Sequence, residues 1–135
     1  MKYLSFFVLA ITIISCTNPK GESQTEEKDL KTQVLDAHDE VMPKMGELRA
    51  TQKKLLVLAD SMSADSVVAA KYQALANDIK LANEAMMDWM RSFDANYQGT
   101  EKEMEVYLQG QLKTIEKVRD DMNTSLEAGK KALEE

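Results

Sequence analysis

The sequence predicts an all-α fold, an elongated antiparallel three-helix bundle of coiled-coil character whose first helix is kinked at Pro43. Three observations predict it. Apolar residues recur at alternating steps of three and four over three long stretches, the repeat of a single helix face. Gly (5) and Pro (2) are scarce among 135 residues, too few for a β-rich or disordered chain. Turn-like polar clusters separate the stretches at only two places, 60–65 and 94–99. The length fits one domain.

The first helix is expected over 25–60. Ser23 and Glu26 have capping-box spacing at its start. Its stripe runs Leu30, Val34, Ala37 with His38, Val41, Met45, Leu48, Leu55 and Leu58 with Ala59, leaving Gln52 as a polar gap. Glu26, Glu27 and Asp29 near its start and Lys53 and Lys54 near its end both suit the helix dipole. Pro43 is the fault in this helix. An interior proline removes a hydrogen bond and costs about 3 kcal/mol or kinks the axis, and Gly46 loosens the same turn. The stripe stays in phase across Pro43, so one kinked helix is preferred over two helices meeting at Met42.

The second helix, 64–93, has the most regular stripe: Val68, Tyr72, Leu75, Ile79, Ala82, Met86, Trp89 with Met90, and Phe93. Asp65 or Ser63 is suited to cap it. The third, 100–128, opens on Thr100 with Glu103 three residues on, another capping box. Its stripe is Met104, Leu108, Leu112 or Gln111, Ile115, Val118, Met122 and Leu126, and Gly129 is expected to mark its end. Short loops make neighbouring helices antiparallel, and a stripe of this period packs them near +20°. Each rod spans on the order of 45 Å.

Lys+Arg number 17 and Asp+Glu 23, a formal net charge of −6. Nucleic acid is not expected as a partner, because phosphate contacts need clustered Lys and Arg. A single cysteine excludes a disulfide framework and a thiolate zinc site.

That cysteine closes an N-terminal address. Lys2 precedes an 11-residue apolar run, Leu4 to Ile14, followed by Ser15 and Cys16. Crossing a bilayer takes about 20 apolar residues, so the run has the length of a secretory signal, with Lys2 as its positive start. Ile13-Ile14-Ser15-Cys16 resembles a bacterial lipobox, whose cysteine sulfur receives a diacylglyceryl group before the signal is cut away. An ordinary signal peptide or short anchor that ends in cysteine is the plainer alternative. The lipobox reading makes 1–15 a signal peptide, Cys16 the lipidated residue and 16–24 a flexible tether ahead of a bundle over 25–135. The membrane is then a partner through lipid at Cys16, held by acyl chains rather than by an acidic body that anionic lipid repels. Thr17, not aspartate, follows the cysteine. By resemblance to lipoprotein sorting this favours the outer membrane within the cell envelope.

Two constellations carry candidate chemistry. His38, the only histidine, lies four and seven residues before Met42 and Met45, on one helix face. Imidazole and thioether are soft ligands that suit copper, and a haem version would use His38 and a facing methionine. The simpler reading is that seam methionines fill irregular gaps in a narrow core and that His38 is a half-buried polar seam residue. Met87, Trp89, Met90 and Phe93 form the densest apolar stretch. Its seam members read as core, while Met87 and Met90 widen it into a candidate docking face for a protein partner or a second copy of the chain. No Gly-rich phosphate loop, nucleophile elbow or His-Glu-x-x-His run occurs. Catalysis is not expected, and copper is the cofactor the residues suggest ahead of haem.

The segments Ala37-His38-Asp39-Glu40-Val41-Met42-Pro43-Lys44-Met45-Gly46-Glu47-Leu48 and Ala85-Met86-Met87-Asp88-Trp89-Met90-Arg91-Ser92-Phe93 resemble parts of a group of small helical bacterial lipoproteins of unknown function. Some of these carry the label "viral A-type inclusion protein", which reflects generic coiled-coil similarity. The resemblance implies a helical, lipid-anchored protein and supplies no catalytic residues. It makes His38, Pro43, Gly46 and Trp89 the positions to mutate first.

Overall fold

The computed structural model describes residues 19–134, with side chains described at 25 and 27–134. The expected signal peptide, 1–15, and Cys16 lie outside the described residues. The described residues form α1 (Pro19–Val41), a 3-10 turn (Met42–Lys44), α2 (Met45–Ser61), α3 (Ser66–Ser92) and α4 (Glu101–Glu134), with no strand among them. Three rods pack together, the first made of α1, the turn and α2. None of the described helices is long and apolar enough to cross a membrane.

The backbone explains the course of the first rod. α1 covers Pro19–Val41, and a proline is tolerated in the first turn of a helix. This corrects the expected tether: 19–24 are helical backbone, and Ser23 lies inside α1 rather than capping it. Lys20, Glu22 and Gln24 are good helix formers, and Gly21 alone costs only about 1 kcal/mol. At Pro43 the missing N–H removes one bond to the preceding turn, and the chain tightens into 3-10 pattern, with Met45 N–H donating to Met42 O. Val41, Lys44 and Met45 all keep right-handed helical dihedrals. Val41, Met45 and Leu48 are therefore all buried on one seam despite the interruption.

The caps of the other rods follow their sequence signals. Asp65 accepts from the backbone N–H groups of Val67 (3.1 Å) and Val68 (3.2 Å) and so starts α3. Thr100 and Glu103 form the capping box of α4, in which Glu103 Oε2 accepts from Thr100 N (2.8 Å) and Thr100 Oγ1 (2.7 Å). Those bonds favour the ionised form, so the Glu103 carboxyl titrates below its ordinary value.

Large side chains alternate with very small ones in the core. Leu48, Leu55, Ile79, Met86, Ile115 and Met122 are fully buried, each contributing about 1.5–3 kcal/mol of transfer free energy. Ala37, Ala76, Ala82 and Ala132 let the backbones approach between them. The expected gap at Gln52 is occupied instead by its buried neighbour Thr51. α4 does not stop near 128 as expected: it continues to Glu134 with Gly129 buried inside it. A Cβ on Gly129 would sit 2.9 Å from Ile79 Cδ1 and from Thr51 Cγ2, and 3.3 Å from Leu55 Cδ1. Gly129 is thus a close-approach glycine where all three rods meet, not a helix terminator.

Polar bonds fix the register around this core. Lys44 Nζ donates to Asn123 Oδ1 (2.7 Å), Lys130 Nζ to Glu47 Oε1 (2.8 Å) and Lys31 Nζ to Ala95 O (2.7 Å). The Glu47 carboxylate holds the Lys130 ammonium charged to higher pH than usual.

Gly129→Ala is expected to lower stability by roughly 1 kcal/mol, because overpacking of about 1–3 kcal/mol outweighs about 1 kcal/mol of gained helix propensity. Gly110→Ala, in the same helix with nothing within 4 Å of its Cβ, raises stability by about 1 kcal/mol. Urea melts of the two variants check the opposition of sign. Asp65→Ala costs about 1 kcal/mol in the same assay, the loss of an N-cap. The Glu103 contribution is fully present above the ordinary glutamate range, about 4.3, and is lost as pH falls through the lowered folded value. Glu103→Gln therefore flattens the acid limb of a plot of melting temperature against pH.

Candidate functional site

Trp89 stands at the centre of a run of rings linking all three rods. His38 of α1 lies 5.5 Å from Trp89 between ring centroids, and Phe93 stacks on the other side at 4.8 Å. Tyr107 of α4 continues the series at 6.3 Å from Phe93 and stacks on Tyr97 at 4.2 Å. Tyr107 Oη also accepts from Asp94 N (2.7 Å) and donates to Asp94 O (3.2 Å), so the α3–α4 loop is braced at its first residues. Trp89 is 4% exposed, and its Nε1–H is buried without an acceptor among the described residues.

These contacts divide the apolar stretch that the sequence marks as a docking face. Trp89 is interior, and Met90 and Phe93 are half-buried against the core. Only Met87, 41% exposed, opens outward. The four side chains do not make one surface, because residues 86, 89, 90 and 93 follow the seam while 87 lies off it.

The soft-ligand candidates are placed just as unevenly. His38 Nδ1 is 2.7 Å from Asp39 Oδ1, and its ring rests beside Trp89. Met42 is 37% exposed in the 3-10 turn, and Met45 is 4% exposed within the core. His38 is engaged by the Asp39 carboxylate and the Trp89 indole. No cluster of three or more His, Cys, Asp or Glu side chains suited to a metal occurs among the described residues.

The surface feature that gathers the most chemistry is an open groove of about 590 Å³ between α2 and α3. Met45, Arg49 and Gln52 line it from α2, and Lys80, Asn83, Glu84, Met87, Asp88 and Arg91 from α3. Lys80 is paired with Glu84 at 3.5 Å, and Arg91 with Asp88, both within α3. Asn83 Nδ2 donates to Ile79 O (3.2 Å), which anchors that amide to its own helix. Sequence reading singled out Met45 and Met87, took Gln52 only as a polar gap in the stripe, and passed over Arg49. A lone arginine beside the seam reads as part of a solvated helix face, and only the packing of α2 on α3 shows that it borders a groove. A second apolar area lies toward the α2–α3 turn, where Val57 is 60% exposed and borders a hollow with Leu58 and Leu133.

Trp89→Ala is expected to cost 3–5 kcal/mol, the range for emptying a large aromatic site, because indole removal also unstacks His38 and Phe93. Met87→Ala is expected to change stability by less than about 0.5 kcal/mol, as for other exposed positions. Denaturant melts of the pair check the division between interior and surface.

No family model, no curated protein and no solved structure matches the chain.

Proposed function

We propose that the protein is a lipid-anchored helical bundle of the bacterial cell envelope that serves as a binding and structural interaction module without catalysis. The observation that carries this reading is the groove between α2 and α3, where an exposed thioether and charged side chains face solvent together. The surface hollows are open seams between rods, the shape that receives another protein element rather than one that encloses a small substrate.

The anchor is Cys16, the chain's only cysteine, placed at the end of an apolar run of signal-peptide length. Two or three acyl chains there hold an acidic body at a membrane, with the outer membrane favoured. The rods run up, down and up. Pairs such as Lys31 with Ala95 and His38 with Trp89 support opposite directions for the first and second rods. Glu40 with Asn123, and Glu47 with Lys130, support a shared direction for the first and third. The 3-10 turn at Pro43 is read as a kink that tips α2 relative to α1.

Labelling with a palmitate analogue is expected to mark the wild-type chain in the membrane fraction and to leave Cys16→Ser unlabelled. Affinity capture from detergent-solubilised membranes is expected to retain one partner with the wild type and to lose it with Met87→Glu. Capture that recovers the same material with both chains, or none with either, removes the interaction reading.

A further inference from the structure

The chemistry of the partner follows from the residues that edge the α2–α3 groove, an inference that rests on the interaction reading above. The first rod carries two seams from the end of α1 through the turn and along α2. The core seam runs Val41, Met45, Leu48, Thr51, Leu55 and Ala59, all buried. Displaced beside it, Met42, Met45, Arg49, Gln52 and Leu56 recur at steps of three, four, three and four. Met42 (37%) and Leu56 (44%) on that second strip are exposed. Facing it across the groove is Met87 of α3. A strip with this repeat, apolar at its ends and flanked by a second helix, is the half-interface that a further helix completes.

Charge selects the kind of helix. Lys80 and Arg91 are matched by Glu84 and Asp88 on their own helix. Arg49 has no acidic partner among the described residues, and neither has Lys53 one turn further along α2. An apolar partner helix would desolvate the Arg49 guanidinium with nothing to receive its five donors. A partner carboxylate opposite Arg49 supplies charge-assisted, bidentate bonds in their place. We propose that the α2–α3 groove binds an amphipathic helix of a partner protein, whose apolar side chains pack on Met45, Met87 and Leu56 and whose carboxylate pairs with Arg49.

The test uses the full-length, detergent-solubilised protein with isotope-labelled methionine methyl groups. The probe is a synthetic helix of repeated Leu-Ala-Glu-Leu-Gln-Ala-Glu heptads, and its control carries Lys in place of every Glu. Saturable shifts of the Met45 and Met87 methyl signals with the Glu peptide are expected. Binding of the Lys peptide, and of the Glu peptide to Arg49→Glu, is expected to be weaker by about tenfold or more, with the melting temperature of the variant unchanged. Absence of shifts at those methyls, equal binding of the two peptides, or an Arg49→Glu chain that binds as the wild type does would overturn the proposal. Shifts that depend on protein concentration alone assign the groove to a second copy of the chain and overturn it too. A membrane partner captured equally by wild type and Arg49→Glu, yet lost with Met87→Glu, removes the acidic helix and leaves the interaction reading standing.

Discussion

Three seams have to converge on a line too thin for three large side chains at every level, and the bundle depends on how that is met. At Gly129 the approach is closest: Thr51, Leu55 and Ile79 occupy the space where its Cβ would be. Elsewhere alanine and serine take the same part, at Ala37, Ala76, Ala82, Ser125 and Ala132. Small residues at one level permit a leucine, isoleucine or methionine at the next to be fully enclosed, which is how a narrow core reaches the density of a protein interior. The long polar side chains at the edges, Lys44 to Asn123 and Lys130 to Glu47, then hold a register that the core has already selected.

How much of this was legible in the sequence depended on whether the signal was local. The α3 stripe from Val68 to Phe93 and the caps at Asp65 and Thr100 could be read directly, because periodicity and capping act within one or two turns. The helical backbone at 19–24 was hidden because Ser23 and Glu26, at capping-box spacing, offered a later start. Gly129 misled for a different reason. Near a helix end, a glycine that terminates and a glycine that makes room are the same letter, and only the neighbouring rods decide between them. Thr51 was hidden likewise, since the strict repeat pointed to Gln52 and the 3-10 turn at Pro43 lies upstream in the same rod.

The candidate site divides along the same line. Trp89 reads as core from its seam position, and its ring contacts to His38 and Phe93 agree with that. Met87 lies two residues before Trp89, about 200° round the helix, so its exposure follows from the same seam that buries Trp89. His38, Met42 and Met45 share a face of an ideal helix, but Pro43 falls between them. The core seam runs Val34, Ala37, Val41, Met45 and Leu48 across the turn without losing phase. Met45 is on that seam and buried, whereas Met42, one residue and about 100° past Val41, is off it and exposed.

The seam also bears on the surface. Met45, the first residue of α2, is enclosed in the core and also lines the α2–α3 groove. A residue that belongs to both the core and a surface seam couples the two: whatever packs on the outer strip presses on a side chain already fixed by its interior contacts. Such a floor is rigid, so a helix laid along it loses its own freedom but little of the bundle's, which lowers the entropic cost of association. Arg49, one turn beyond Met45 and clear of the core, supplies the opposite quality. It is exposed to solvent, and it becomes directional when a carboxylate arrives. A methionine floor beside an unmatched guanidinium gives shape and charge separate roles, with packing setting how long a partner stays and charge setting which partner is accepted.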